Sequence, residues 1–254
     1  MVPDLGALVP FALVVLVAVY FHTVTGFGVA MVIMGLASSA GIVSVATLAS
    51  VVSIVTLMNG VALRGNLHHV PWKIVGVMAV AVLPASVVGV LLLDYLSSEA
   101  ADVIQVLLGL IIVHGGVSLA WRPTPLSTVS GQGSFAYYGF LGGLIGGMFG
   151  IPGPPLIYHL YRQPMSLAQI RSALIFLNAF IAGARTLFVM VQGQLHTPEI
   201  VLSALCLPLV VVATLAGKRF PPPCSAATMR RIAFVLLVVM GLTLIAPVLM
   251  KWLG

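Results

Sequence analysis

The sequence predicts an all-α polytopic membrane protein made of two inverted repeats. Each repeat is a broken or re-entrant helical element plus three transmembrane helices, about eight membrane segments in all. Three observations predict this. The 254 residues are 61% apolar and only 6% charged, with mean hydropathy +1.20, whereas soluble domains carry about 25% charge. Ten apolar runs follow one another in an order of lengths that repeats halfway along the chain. Two places inside these runs carry glycine and proline in patterns that no continuous helix accommodates.

Crossing roughly 30 Å of hydrocarbon takes about 20 apolar residues in a helix. Residues 5–25 meet that length, and Gly26-Phe27-Gly28 follows them. Residues 29–40 are too short. Residues 42–63, 72–93 and 100–121 are long enough. A polar segment, RPTPLSTVSGQG at 122–133, reads as a linker. The order then recurs: 135–149, a short run at 156–161, and 167–191, 200–217 and 229–253. Residues 1–121 and 134–254 are therefore the expected repeats. A constant offset supports the duplication, since Gly26 aligns with Gly150 and Pro84 with Pro208, each pair 124 positions apart.

The second break is the sharper one. GGMFGIPGPP, from Gly146 to Pro155, interrupts an apolar stretch. Proline removes a backbone donor and clashes with the preceding turn. A chain that breaks its helix in lipid leaves polar backbone unsatisfied, which is tolerated only inside protein or along a wet cavity. Paired interruptions in two halves point to a transporter's binding site.

Basic residues decide how the runs cross. If 5–40 and 135–161 each enter and leave on one face, each half has three full crossings, and the second half is inverted. Arg64, Lys73, Arg122, Arg162, Arg171, Lys218, Arg219, Arg230 and Arg231 then share one face, as the positive-inside rule requires. Lys251 is the exception. Plain crossings would split these residues between two faces.

The breaks supply the first candidate ligands: Gly26, Phe27 and Gly28 at one, Gly147, Gly150, Pro152, Gly153 and Pro154 at the other. Half-helix N-termini expose amide donors that favour anions; close helix packing is the bland alternative for the glycines. Arg185 lies well inside an apolar run, where a charge costs at least about 2.5 kcal/mol. It either neutralises an anionic substrate or snorkels to the nearby helix end. Arg171 either joins it or anchors the basic face. Asn59 and Asn178 follow the breaks and could donate to a substrate oxygen or tie two helices together. His22 and His159 are candidates for a proton relay, against the plainer role of hydrogen-bonded structural histidines. No metal-ligand spacing occurs.

Absences narrow the reading further. All five carboxylates fall at the ends of apolar runs or between them, so a cation substrate is disfavoured and an anion favoured. No nucleophile constellation, nucleotide motif or cofactor motif is present, so the chain is not expected to be an enzyme. The charge of +6 comes from 11 basic and 5 acidic residues; it reads as loop orientation, not as a nucleic-acid footprint. No basic stretch precedes the first apolar run, so that run is expected to be retained. Cys206 and Cys224 form no framework.

The segment GFLGGLIGGMFGIPGPPLIYHLYRQPMSLAQIRSALIFLNAF resembles the signature of the TauE/SafE sulfite-exporter family, also called the 4-toluene sulfonate uptake permease (TSUP) family. The resemblance is strongest from Gly139 to Asn178. The first half departs from it, because no proline follows Gly26-Phe27-Gly28 shortly. The resemblance implies a carrier of sulfite, sulfoacetate or other organosulfonates in a bacterial-type plasma (inner) membrane, driven by the proton gradient. The expected function is thus a secondary transporter with alternating access, its anion held between the two breaks at the midplane. Its expected partners are the anion, the lipid bilayer and a second copy in a homodimer, with no cofactor. An anion channel is the main alternative, and a membrane scaffold or assembly subunit a weaker one.

Overall fold

The computed structural model describes residues 5–25, 28–39, 44–62, 68–120, 125–220 and 226–253. They form helices α1 (Leu5–Thr25), α2 (Val29–Ser39), α3 (Val45–Ala62), α4 (Trp72–Glu99), α5 (Ala101–Ala120), α6 (Gln132–Phe149), α7 (Gly153–Tyr161), α8 (Leu167–Val191), α9 (Thr197–Arg219) and α10 (Ala226–Leu253). No strand occurs among the described residues. Each apolar run corresponds to one helix. The largest difference is at α4, which continues past Leu93 to Glu99. Asp94 marks where the apolar run stops, but a charge ends a hydrophobic run without ending a helix.

Among the described residues, four stretches are long and apolar enough to cross a membrane: Trp72–Ser98, Leu167–Val191, Thr197–Arg219 and Phe234–Trp252. Leu8–Val24, Val29–Ser38, Val45–Val61 and Ala101–Val117 are shorter apolar stretches. The outer faces suit lipid. Leu13 and Val17 on α1, Val80 on α4, Val212 on α9 and Val235 on α10 are exposed. Apolar surface on this scale is what hydrocarbon covers.

Glycine sets the closest packing. Gly139, Gly143 and Gly147 lie four apart on one face of α6 and meet Met78, Val82 and Ser86, also four apart, on α4. A Cβ on Gly139 or Gly143 would lie 2.7 Å from the Met78 or Val82 carbonyl oxygen. On Gly147 it would overlap the Ser86 carbonyl. Small residues allow this approach where helices associate without a hydrophobic drive. Gly109 of α5 and Gly241 of α10 meet in the same manner.

Most packing partners recur when each helix is exchanged with the one five places away. The α4–α6 pair becomes α9–α1, and α3–α9 becomes α8–α4. Likewise α1–α2 becomes α6–α7, and α10–α2 becomes α5–α7. The pairs α3–α8 and α5–α10 map onto themselves. Lys251, the charge that fits the loop pattern worst, is paired with Asp102 across α10 and α5 at 2.6 Å.

Candidate functional site

At the first break, α1 ends at Thr25 and α2 begins at Val29. Gly26 and Phe27 lie outside the described residues. Gly28 has φ +95°, and its carbonyl accepts the Val32 N–H at 3.0 Å, opening α2. At the second break, α6 ends on Gly150 with φ +67°, whose N–H donates to the Gly146 carbonyl at 2.8 Å. Glycine takes this left-handed conformation without strain. Pro152 then precedes α7, with Pro154 and Pro155 in its first turn, where a missing donor costs little. Between Ile151 and Pro155, only Ile151 and Gly153 keep an amide N–H.

The two breaks meet. A Cβ on Gly153 would lie 2.6 Å from Cε of Met31 in the first turn of α2. Gly115 of α5 packs under both, with Met31 Sδ and Pro154 Cγ at 2.8 and 3.1 Å from where its Cβ would be. Gly28, the first turn of α2, Pro152 and Gly153 thus line a small cavity of about 10 Å³, completed by Thr56 and Asn178. That is room for about one water. Thr56 and Asn178 are buried, and neither the Thr56 hydroxyl nor Asn178 Oδ1 has a hydrogen-bond partner. Two helix N-termini converge here, each carrying roughly half a positive charge.

Helix α8 serves both breaks. Its start is fixed by a capping box between Ser166 and Gln169. Arg171, Asn178 and Arg185 follow at intervals of seven, so they share one face over roughly 21 Å. Arg171 Nη2 donates to the Thr23 carbonyl in the last turn of α1. Arg185 Nε donates to the Gly147 carbonyl in the last turn of α6 at 2.8 Å, and Nη1 to Ser50 Oγ at 3.2 Å. The last carbonyls of a helix lack intrahelical partners, and a cation there is favourable. Each arginine therefore closes the helix that precedes one break. Arg185 is 2% exposed and is held by α6 and α3, not extended toward the helix end.

Arg185 also lines a second, open cavity of about 450 Å³, together with Thr47, Ser50, Asp94 and Glu199. Glu199, in the first turn of α9, is 7% exposed, and its Oε1 accepts from Thr47 Oγ1 at 2.8 Å. Glu199 Oε2 and Asp94 Oδ2 are buried and accept no hydrogen bond. Sequence reasoning assigned no role to these carboxylates, because it judged them by distance along the chain from the apolar runs. Thr56 and Ser50 gave only a weak signal, since hydroxyls in membrane helices commonly bond their own backbone.

The remaining candidates fall elsewhere. Asn59 is fully buried and donates to Thr214 Oγ1 at 3.0 Å, tying α3 to α9; it lines neither cavity. Gly147 contributes its carbonyl and its close packing. His22 is buried near the end of α1, with Nδ1 unpartnered. His159 stacks on Tyr138 at 4.2 Å and meets Phe135 edge-on at 4.8 Å, with Ser134 Oγ 3.4 Å from Nε2. Among the described residues, no group of three or more His, Cys, Asp or Glu could hold a metal ion.

Apolar outer faces, broken helices and a buried polar centre define a multi-pass helical membrane protein. The family model described as "Sulfite exporter TauE/SafE" matches residues 11–244. The chain is also 51% identical over 234 residues to a protein named "Probable sulfite/organosulfonate exporter TauE" from Cupriavidus necator (strain ATCC 17699 / DSM 428 / KCTC 22496 / NCIMB 10442 / H16 / Stanier 337); the match covers 92% of this chain and 91% of that one. No solved structure matches it significantly. The chain belongs to the TauE/SafE sulfite exporter family, whose members are membrane exporters and not enzymes.

Proposed function

We propose that this chain is a secondary transporter that exports sulfite or an organosulfonate, binding the anion between its two helix breaks. One observation carries the reading: the N-terminal ends of α2 and α7 converge on one small cavity with the unpartnered oxygens of Thr56 and Asn178. The amides of Val29, Ala30, Met31, Ile151 and Gly153 are the donors for the anion's oxygens, with the two helix dipoles behind them. Gly28, Gly150, Pro152 and Pro154 shape the approach. Gly26 and Phe27 belong to the same site in this reading. Arg171 and Arg185 supply positive charge on either side of Asn178. The name of the Cupriavidus necator relative supports the substrate class.

Two inverted repeats, residues 1–121 and 134–254 joined by 122–133, supply the movement. The exchange of packing partners between the halves supports that division. Each half then contributes one broken element and three crossings, and rocking of one half against the other gives alternating access. Proton coupling would run through His22 or His159 or through the protonatable substrate. The protein would work in the plasma (inner) membrane, as a homodimer.

Radiolabelled sulfite and ethanesulfonate flux in proteoliposomes tests the reading. It requires saturable uptake and counterflow, both reduced at least about tenfold in an Arg171→Ala/Arg185→Ala double variant, equivalent to about 1.4 kcal/mol. Unchanged flux in a correctly folded double variant would remove the charge role. Flux with neither saturation nor counterflow would indicate a channel.

A further inference from the structure

We propose that the open cavity beside Arg185 recognises a short zwitterion: a sulfonate separated from an ammonium by two or three carbons. The cavity, about 450 Å³, is lined by groups of both signs, Arg185 against Asp94 and Glu199. Among the described residues the ion pair is Lys251–Asp102, so these opposite charges share the space without closing on one another.

Helix α3 holds them apart. Ser50 accepts from Arg185, and Thr47 donates to Glu199. These hydroxyls are three residues apart, one helical turn, with Cβ atoms about 5–6 Å from each other. A positive and a negative group are thus fixed one turn apart on one wall.

Both have unused capacity. A guanidinium carries five N–H donors, of which Arg185 places two, on Gly147 and Ser50. Glu199 is 7% exposed, yet its Oε2 accepts no hydrogen bond, and nor does the buried Asp94 Oδ2. A buried carboxylate oxygen left this way is costly unless a partner arrives. An ammonium, with three donors and no acceptor, answers two carboxylates at once. A lone anion in this cavity would face two carboxylates, and a lone cation would face Arg185. A molecule bearing both charges meets neither conflict.

This rests on the transporter reading only in taking the cavity as a substrate vestibule; the site between the breaks is separate. The test compares 2-aminoethanesulfonate, ethanesulfonate and ethylammonium on the purified full chain, by calorimetry and thermal shift. The added ammonium is expected to tighten binding at least about tenfold, as a hydrogen bond to a charged group does. Glu199→Gln and Asp94→Asn are each expected to bring the ratio of the two sulfonates toward one. Their unliganded melting and elution profiles establish folding, and Asp94→Asn carries the test should the weakened Thr47 contact unfold Glu199→Gln. Equal binding of the two sulfonates, a ratio that survives both substitutions, or ethylammonium binding as well as the aminosulfonate would each overturn the proposal. If sulfite and both sulfonates all fail to bind, the transporter reading fails as well. If ethanesulfonate and 2-aminoethanesulfonate bind equally, the zwitterion site alone is lost.

Discussion

Arg185 Nε donates to the Gly147 carbonyl at 2.8 Å, so α8 closes α6 at the point where that helix stops. Arg171 does the same for α1 through the Thr23 carbonyl. The two arginines thus have a structural task before any substrate arrives. Arg185→Ala would leave a buried carbonyl and the Ser50 hydroxyl without their donor, at about 1–3 kcal/mol each. Thermal unfolding in detergent should show a clear fall. Arg185→Lys keeps the charge but cannot fork to two acceptors on different helices. It should fall between wild type and alanine in both stability and flux.

Gly147 and Gly153 sit six residues apart across the second break, yet they should respond differently to alanine. The Cβ of Gly147→Ala would meet the Ser86 backbone, which cannot move aside without parting α4 from α6. Overpacking of this kind costs about 1–3 kcal/mol and occasionally more. The Cβ of Gly153→Ala would meet only side-chain ends, the flexible tip of Met31 and Cδ1 of Ile157. Its stability cost should be smaller, while the narrowed cavity depresses flux. A Gly153→Ala protein as unstable as Gly147→Ala would mean that the contact with Met31 cannot relax.

The helices were legible because membrane spans announce themselves by length and composition. Both 5–25 and 167–191 are read without a shift at either end. The breaks were legible from proline and glycine chemistry alone. The contacts that organise the site were not. Arg171 reaches Thr23 across 148 positions and Arg185 reaches Ser50 across 135, and no local pattern encodes such pairs. Asp94 and Glu199 misled for a related reason. They were placed by their position at the ends of apolar runs, but α4 carries Asp94 onward within the helix, and Thr47 and the cavity receive Glu199 in the interior.

Asn59 separates architecture from transport. Its amide bonds Thr214 across α3 and α9, and it lines neither cavity. Asn59→Ala would strand the Thr214 hydroxyl, at about 1–3 kcal/mol. The melting temperature should fall, while the substrate KM of the folded protein stays as in wild type. A raised KM would bring Asn59 into the site after all.

Thr56 and Asn178 should behave in the opposite sense, because each holds a buried oxygen without a partner between the breaks. A polar atom left unsatisfied in the resting protein contributes nothing to its stability, and replacing it with an apolar group of the same shape is nearly neutral or stabilising. Thr56→Val should therefore melt at or slightly above the wild-type temperature, yet lose about tenfold in sulfonate flux, the effect of roughly 1.4 kcal/mol of lost binding. Asn178→Asp changes almost no volume but sets a negative charge opposite two helix N-termini. It occupies electrostatically the place that the anion needs, so anion flux should be abolished while the fold survives. Full flux in both variants would move the substrate away from the breaks, whatever the stability data show.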